Sequence, residues 1–137
     1  MRKNILNLIN QVVMVVFLAV LLSACQRPAI SLKPQQEQEV RLHQRYQIDE
    51  TLSFTIKSVQ DNRCPMDAIC IQAGKAEVKI LIEEGKTTRY EVIDPENKPE
   101  IRVGNYLIRF TELFPYPQSS IQVKDKDYTL KAFFSAL

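Results

Sequence analysis

The chain of 137 residues has no tryptophan, only one histidine and only three glycines. Without tryptophan it lacks the Cys-Trp-Cys core signature of antibody-type domains. Three scattered glycines do not form a phosphate-binding loop. A serine or cysteine nucleophile needs a base, and the one histidine, His43, lies in a strand-like stretch where an exposed or core-edge role is expected. We therefore predict a protein that is not an enzyme, with no catalytic residues and no cofactor.

Long apolar runs are also scarce, since only one extends for more than ten residues, from Val12 to Leu22. It is shorter than the roughly 20 apolar residues that a membrane-spanning helix needs. Arg2 and Lys3 precede it, and a positive start followed by a short apolar stretch is typical of an export signal. The sequence therefore predicts an exported protein.

The tetrapeptide Leu22-Ser23-Ala24-Cys25, which closes the apolar run, resembles the lipobox of bacterial lipoproteins. The resemblance implies that a diacylglyceryl group is added to the Cys25 sulfur and that the signal peptide, residues 1–24, is removed. Cys25 then becomes an acylated N-terminus, with palmitate as the expected acyl group, and its lipid holds the protein at a membrane. The alternative is ordinary secretion, with cleavage before a cysteine that later forms a disulfide.

In lipoproteins of two-membrane bacteria, the residue after the lipidated cysteine directs sorting. Gln26, rather than an aspartate, stands at that position. By this resemblance, the expected location is the periplasmic side of the outer membrane. In a bacterium with one membrane, it is the outer face of the plasma membrane.

The charge of the chain is balanced once the signal is removed. The full sequence has 18 lysines and arginines against 16 aspartates and glutamates, and Arg2 and Lys3 leave with the signal peptide. The remaining chain is neutral and has the length of a single domain. A neutral domain lacks the basic surplus of nucleic-acid-binding proteins, so no nucleic-acid partner is predicted.

Two cysteines remain after Cys25 is assigned to lipid, namely Cys64 and Cys70. Exported proteins meet an oxidising environment, and a disulfide between these two is predicted. Its short loop gives a stabilisation of about 2 kcal/mol. The alternative is a redox or metal site, but five intervening residues do not match the two-residue spacing of such motifs, and no histidine lies nearby. We therefore expect no bound metal.

Residues 25–38 contain two prolines and few apolar side chains. This composition predicts a lipidated tether that holds the domain away from the lipid surface. The alternative is an N-terminal strand packed against the domain, to which Ile30 and Leu32 would belong.

Residues 39–137 alternate apolar and polar side chains almost throughout, which indicates half-buried strands. In one such strand, Leu52, Phe54, Ile56 and Ser58 are predicted on the buried face. Another short strand is predicted around Ile121 and Val123. About seven short strands predict an all-β domain, a small antiparallel β-sandwich of immunoglobulin-like architecture, with a small β-barrel as the alternative.

The segment around the two cysteines resembles a group of small exported bacterial proteins and lipoproteins. Their shared pattern is D-S-R-C-P, a second cysteine some five residues later, and then W-x-G-x-A leading into a strand. The matching residues here are Asp61, Arg63, Cys64, Pro65, Cys70, Gly74 and Ala76. Asn62 replaces the serine of the pattern and Gln72 replaces its tryptophan. The resemblance implies no particular activity.

A disulfide-closed loop at one end of a sandwich is a common binding surface, because the scaffold holds the loop while its side chains stay free. The candidate partner-binding residues are Asp61, Arg63, Met66, Asp67 and Ile69. For Asp61 and Arg63 we favour the other interpretation, that they only brace the loop, since no further polar cluster points the same way.

Two functions are compatible with such a loop. The first is a lipid-anchored structural or interaction module that binds an envelope protein or glycan. The second is an inhibitor that inserts the Cys64–Cys70 loop into the cleft of a lysozyme or protease. An inhibitor requires Asp67 and Ile69 to project outward.

Overall fold

The structure is a computed structural model, and it describes residues 10–16 and 29–137. Residues 10–16, within the predicted signal peptide, are helical. Leu22-Ser23-Ala24-Cys25 and Gln26 lie outside the described residues. No helix in the two described ranges has the length and apolar character needed to cross a bilayer.

Nine strands and a short 3-10 helix, Asp125–Asp127, make up the described domain. The strands are β1 (Ile30–Ser31), β2 (Gln38–Arg41), β3 (Arg45–Gln47), β4 (Leu52–Asp61), β5 (Ala76–Glu84), β6 (Thr87–Ile93), β7 (Glu100–Val103), β8 (Tyr106–Phe114) and β9 (Thr129–Ala136). They form a five-stranded sheet, β1-β3-β4-β5-β6, and a four-stranded sheet, β2-β9-β8-β7. All neighbouring strands are antiparallel except β1 and β3. The predicted all-β sandwich is confirmed, and the two sheets do not close into a barrel.

The core lies between the two sheets and consists of the apolar residues that alternate along the long strands. Phe54 of β4 stacks on Tyr46, with ring centroids 5.4 Å apart, and meets the edge of Phe110 from the other sheet at 5.9 Å. All three rings are fully buried. These aromatic contacts join the two sheets at the centre of the sandwich.

A β-bulge changes the alternation of β4. The pairing with β5 shifts between Ile56 and Ser58, so that Val59 rather than Ser58 faces inward. The prediction that Ser58 shares the buried face is therefore wrong, because a bulge adds one residue and reverses the faces beyond it. As a result, Asp61 at the end of β4 also points into the sandwich.

Two further predictions differ from the structure. Residues 121–123 form no strand, since Ile121 pairs only with Gln118 across a tight turn. The domain also begins before residue 39, because β1 pairs with β3 and Leu32 is buried in the core. From residue 30 on, the predicted tether is therefore packed against the sheet, as in the alternative of an N-terminal strand.

Candidate functional site

Three long connections lie at one end of the sandwich, which we call the loop end. They are residues 62–75 after β4, residues 94–99 after β6 and residues 115–128 after β8. They meet there because β4, β6 and β8 all run towards this end. The predicted Cys64–Cys70 loop belongs to the first connection.

The first connection continues the β4–β5 hairpin beyond its two strands. The amide of Asn62 donates to the carbonyl of Lys75 at 2.9 Å, and the amide of Cys64 donates to the carbonyl of Ala73 at 2.7 Å. Gly74 allows the two backbone segments to approach this closely. Its φ is +72°, and a Cβ atom there would lie 1.9 Å from the Asn62 carbonyl oxygen. A residue with a side chain does not fit this position.

Cys64 and Cys70 form a disulfide with an S–S distance of 2.08 Å. This confirms the predicted pairing. The bond closes the tip of the hairpin into a small ring, residues 64–70, which narrows the range of conformations open to the tip.

Asp61 and Arg63 form a buried ion pair under this ring, with side chains only 2% and 4% exposed. Arg63 donates from Nε and Nη2 to the two carboxylate oxygens of Asp61, at 2.8 and 2.7 Å. Burial by itself would lower the pKa of Arg63, but the hydrogen bonds and charge of Asp61 outweigh burial and raise it. The hydroxyl of Tyr128 also donates to Asp61, at 3.3 Å.

The same guanidinium connects the hairpin to the connection after β8. It donates to the carbonyl oxygens of Leu113 and Pro115, at 3.1 and 3.2 Å, and its Cζ lies 4.4 Å from the centre of the Tyr116 ring. The Phe114–Pro115 peptide bond in this segment is cis. Arg63 therefore holds two connections that are about 50 residues apart in the sequence.

These contacts place Asp61 and Arg63 inside the protein, not on its surface. The prediction that they bind a partner is therefore corrected: both side chains are almost wholly buried, and each balances the charge of the other. They brace the loop, which is the role favoured for them from the sequence.

The disulfide ring also forms hydrogen bonds with the connection after β8. The Met66 amide donates to the carbonyl of Pro117 at 3.1 Å, and one carboxylate oxygen of Asp67 accepts from the amide and hydroxyl of Ser119, at 2.8 and 3.1 Å. The Ser119 amide lowers the pKa of Asp67. Asp67 is exposed but held by Ser119, so it does not project freely as the inhibitor hypothesis requires.

The remaining side chains of the loop face water. Ile69 and Ile71 are fully exposed, Met66 is 65% exposed, and Ile121 on the neighbouring connection is 57% exposed. Ile69 thus projects outward as expected. Sequence reasoning missed Ser119 and Tyr116, because nothing local in the sequence pairs them with residues some 50 positions earlier.

A cavity of about 250 Å³ opens beside the brace. Its lining includes Arg63, Tyr116, Phe114, Glu96 and Glu112. Because Asp61 neutralises Arg63 and the lining adds two glutamates, this cavity does not favour an anion.

The residues considered for chemistry lie elsewhere. His43 is exposed, in a turn with a φ of +61°. Among the described residues, no group of three histidine, cysteine, aspartate or glutamate side chains is placed to hold a metal ion.

Comparisons with known proteins give no relative: no family model, curated protein or solved structure matches the chain.

Proposed function

We propose that this chain is a lipid-anchored lipoprotein of the bacterial cell envelope, a non-catalytic interaction module that makes its contacts through the loop end. The Leu22-Ser23-Ala24-Cys25 sequence supports the anchor and Gln26 supports an outer-membrane location. The Cys64–Cys70 disulfide agrees with an oxidising compartment.

The observation that carries the proposal is an ordered loop whose apolar side chains face water. Met66, Ile69 and Ile71 are exposed, while the backbone beneath them is held by a disulfide, a buried ion pair and the contact of Asp67 with Ser119. Grouped apolar side chains on the surface of a soluble domain mark interaction sites. A rigid loop also loses little conformational entropy when it binds.

The anchor is tested by following the acyl group. In a two-membrane bacterium grown with radioactive palmitate, we expect the wild-type protein to be labelled and to fractionate with the outer membrane. Cys25→Ser removes the acceptor sulfur and should abolish both results, while Ile69→Asp serves as the control that retains them. Labelling that persists in Cys25→Ser would refute lipidation at this residue.

The interaction surface is tested by photo-crosslinking in intact cells. A photoreactive residue at Ile69 should form adducts, whereas one at Tyr90, which is also exposed but lies on strand β6, should form few. Equal adducts at both positions would show that the loop end is not the contact surface.

The second candidate, an inhibitor of a lysozyme or protease, is favoured by one observation. Ile69 projects fully into solvent from a ring closed by a disulfide, a shape that fits into an enzyme cleft. Under this hypothesis, purified protein lowers the rate of a target hydrolase and Ile69→Asp abolishes the effect without unfolding the domain. Absence of inhibition across a panel of lysozymes and proteases would reject the inhibitor hypothesis and leave the interaction module as the proposed function.

A further inference from the structure

The direction in which the chain enters the domain determines on which side the lipid anchor lies relative to the loop end. Strand β1 is parallel to β3, with Ile30 opposite Tyr46 and Ser31 opposite Gln47. Strand β3 is antiparallel to β4, with Tyr46 opposite Phe54. Since β4 runs towards the loop end, β1 runs away from it. The backbone therefore enters β1 from the side on which the loop end lies.

The length of the intervening chain limits how far the anchor lies from the domain. Ile30 lies five positions after Cys25, and a chain of this length spans at most about 17 Å when fully extended. Phe54, level with Ile30 across the sheet, precedes Cys64 by ten residues, or about 30 Å along the strand direction. A domain anchored at Cys25 therefore cannot stand upright on its loop tip. The β1 edge and the loop end can both lie near the lipid only when the domain is inclined.

The composition of the loop suits a lipid surface. Residues 66–73 are exposed throughout, and five of them are apolar: Met66, Ala68, Ile69, Ile71 and Ala73. The one charged side chain, Asp67, accepts hydrogen bonds from Ser119, and the segment contains no lysine or arginine. Contact with lipid would thus depend on apolar burial at the boundary between headgroups and acyl chains, not on charge.

We propose that residues 66–73 insert their apolar side chains into the surface of the bilayer that holds the Cys25 lipid. The domain is then bound at two points and has a fixed, inclined orientation. This inference rests on the proposed lipid anchor and names the partner of the loop end as the membrane itself.

The absence of tryptophan allows a direct test, because a single introduced tryptophan is the only one in the protein. Mature lipidated protein carrying Ile69→Trp is reconstituted into zwitterionic phosphatidylcholine vesicles with brominated acyl chains. Tyr90→Trp is the matched control, since Tyr90 is exposed on β6, at the opposite edge of the five-stranded sheet from β1.

We expect the tryptophan at position 69 to emit at shorter wavelength and to be quenched by bromine, and the tryptophan at position 90 to show neither effect. Raising the ionic strength should leave the quenching unchanged, because residues 66–73 contain no lysine or arginine. Adding Ile71→Asp to Ile69→Trp should reduce the quenching at least twofold, since it places a charge in the inserted segment.

Mass spectrometry of the reconstituted protein separates the two possible failures. Cys25 without lipid would overturn the proposed anchor and this inference with it. Lipidated protein in which positions 69 and 90 are equally unquenched would overturn the inference alone. Emission from the tryptophan at position 69 that moves to shorter wavelength only after envelope proteins are added would also overturn the inference. It would identify a protein as the partner.

Discussion

The loop end differs from the opposite end of the sandwich, the turn end, in how its connections are held. The turn end contains residues 48–51, 85–86 and 104–105. There, Asp49 accepts from the amides of Thr51 and Leu52, at 2.7 and 2.8 Å, and Gly85 and Gly104 adopt positive φ angles. These features act within a few residues of one another, so the conformation of each turn depends mainly on its own sequence, and a backbone hydrogen bond from Gly85 to Thr51 joins two of the turns.

The loop end depends on contacts between distant residues. Arg63 donates to the carbonyls of Leu113 and Pro115, and Asp67 accepts from Ser119. Each contact joins residues 50 or more positions apart. The comparison shows that the turns at one end are shaped mainly by their own residues, whereas the connections at the other end are also held by side-chain contacts that join the two sheets.

Replacing Arg63 should have the largest effect on the loop end. In Arg63→Met, the buried Asp61 keeps its charge without a partner, and we expect a loss of about 3–5 kcal/mol in the free energy of unfolding. Urea denaturation measures this change. Adding Asp61→Asn to Arg63→Met should recover part of the loss, because the uncompensated charge is then gone.

An exposed ion pair provides the control for this experiment. Arg109 pairs with Glu100 on the surface, where the side chains are 54% and 39% exposed. Arg109→Met should therefore cost less than about 1 kcal/mol. If Arg63→Met costs no more than Arg109→Met, the buried pair does not hold the loop end.

The two ends also differ in how they use glycine. Gly74→Ala should cost about 3 kcal/mol, since it combines a left-handed backbone with a Cβ atom 1.9 Å from the Asn62 carbonyl oxygen. Gly85→Ala, at the turn end, adds a Cβ atom with nothing within 4 Å and should cost only about 1 kcal/mol. Thermal unfolding of both variants tests this difference. Equal losses of stability would show that the left-handed backbone alone, and not the close Asn62 carbonyl, determines the effect of each substitution.

Much of the fold could be predicted from the sequence because long strands carry a clear period. The alternation in β5 and β9 places Val78, Ile80, Leu130 and Phe134 correctly in the core. Strands β1 and β3 have two and three residues, too few to show a period, and the bulge in β4 has no signal in the alternation that precedes it. Short or irregular elements depend on their neighbours, which the local sequence does not reveal.

The candidate site was predictable only in part. The Cys64–Cys70 pairing follows from cysteine arithmetic, and a bracing role for Asp61 and Arg63 was expected from the sequence. The burial of that pair and the contact with Ser119 were not predictable, because they depend on how a connection 50 residues later folds over the hairpin.

Removing the disulfide should have an intermediate effect that is specific to the loop end. The double variant Cys64→Ala, Cys70→Ala should lose about 2 kcal/mol, since opening this short ring releases the unfolded chain from a constraint. Reducing agent should destabilise the wild type by the same amount and leave the double variant unchanged. A loss in the double variant that reducing agent increases further would point to another reducible bond.

The smallest expected effect concerns Asp67 and depends on pH. Because the folded-state pKa of Asp67 lies below its ordinary value of 3.8, the contact with Ser119 contributes fully above that value and is lost as pH falls through the folded-state pKa. Hydrogen exchange of the Met66 amide, which donates to Pro117, reports on this docking, and the Gly85 amide at the turn end is the reference. Asp67→Asn should lower the protection of Met66 at neutral pH, and in the wild type the protection should decline only on acidification, with Gly85 unaffected in both cases. Equal changes at both amides would mean that acid loosens the whole sandwich, and the loop end would then not be an independently fastened unit.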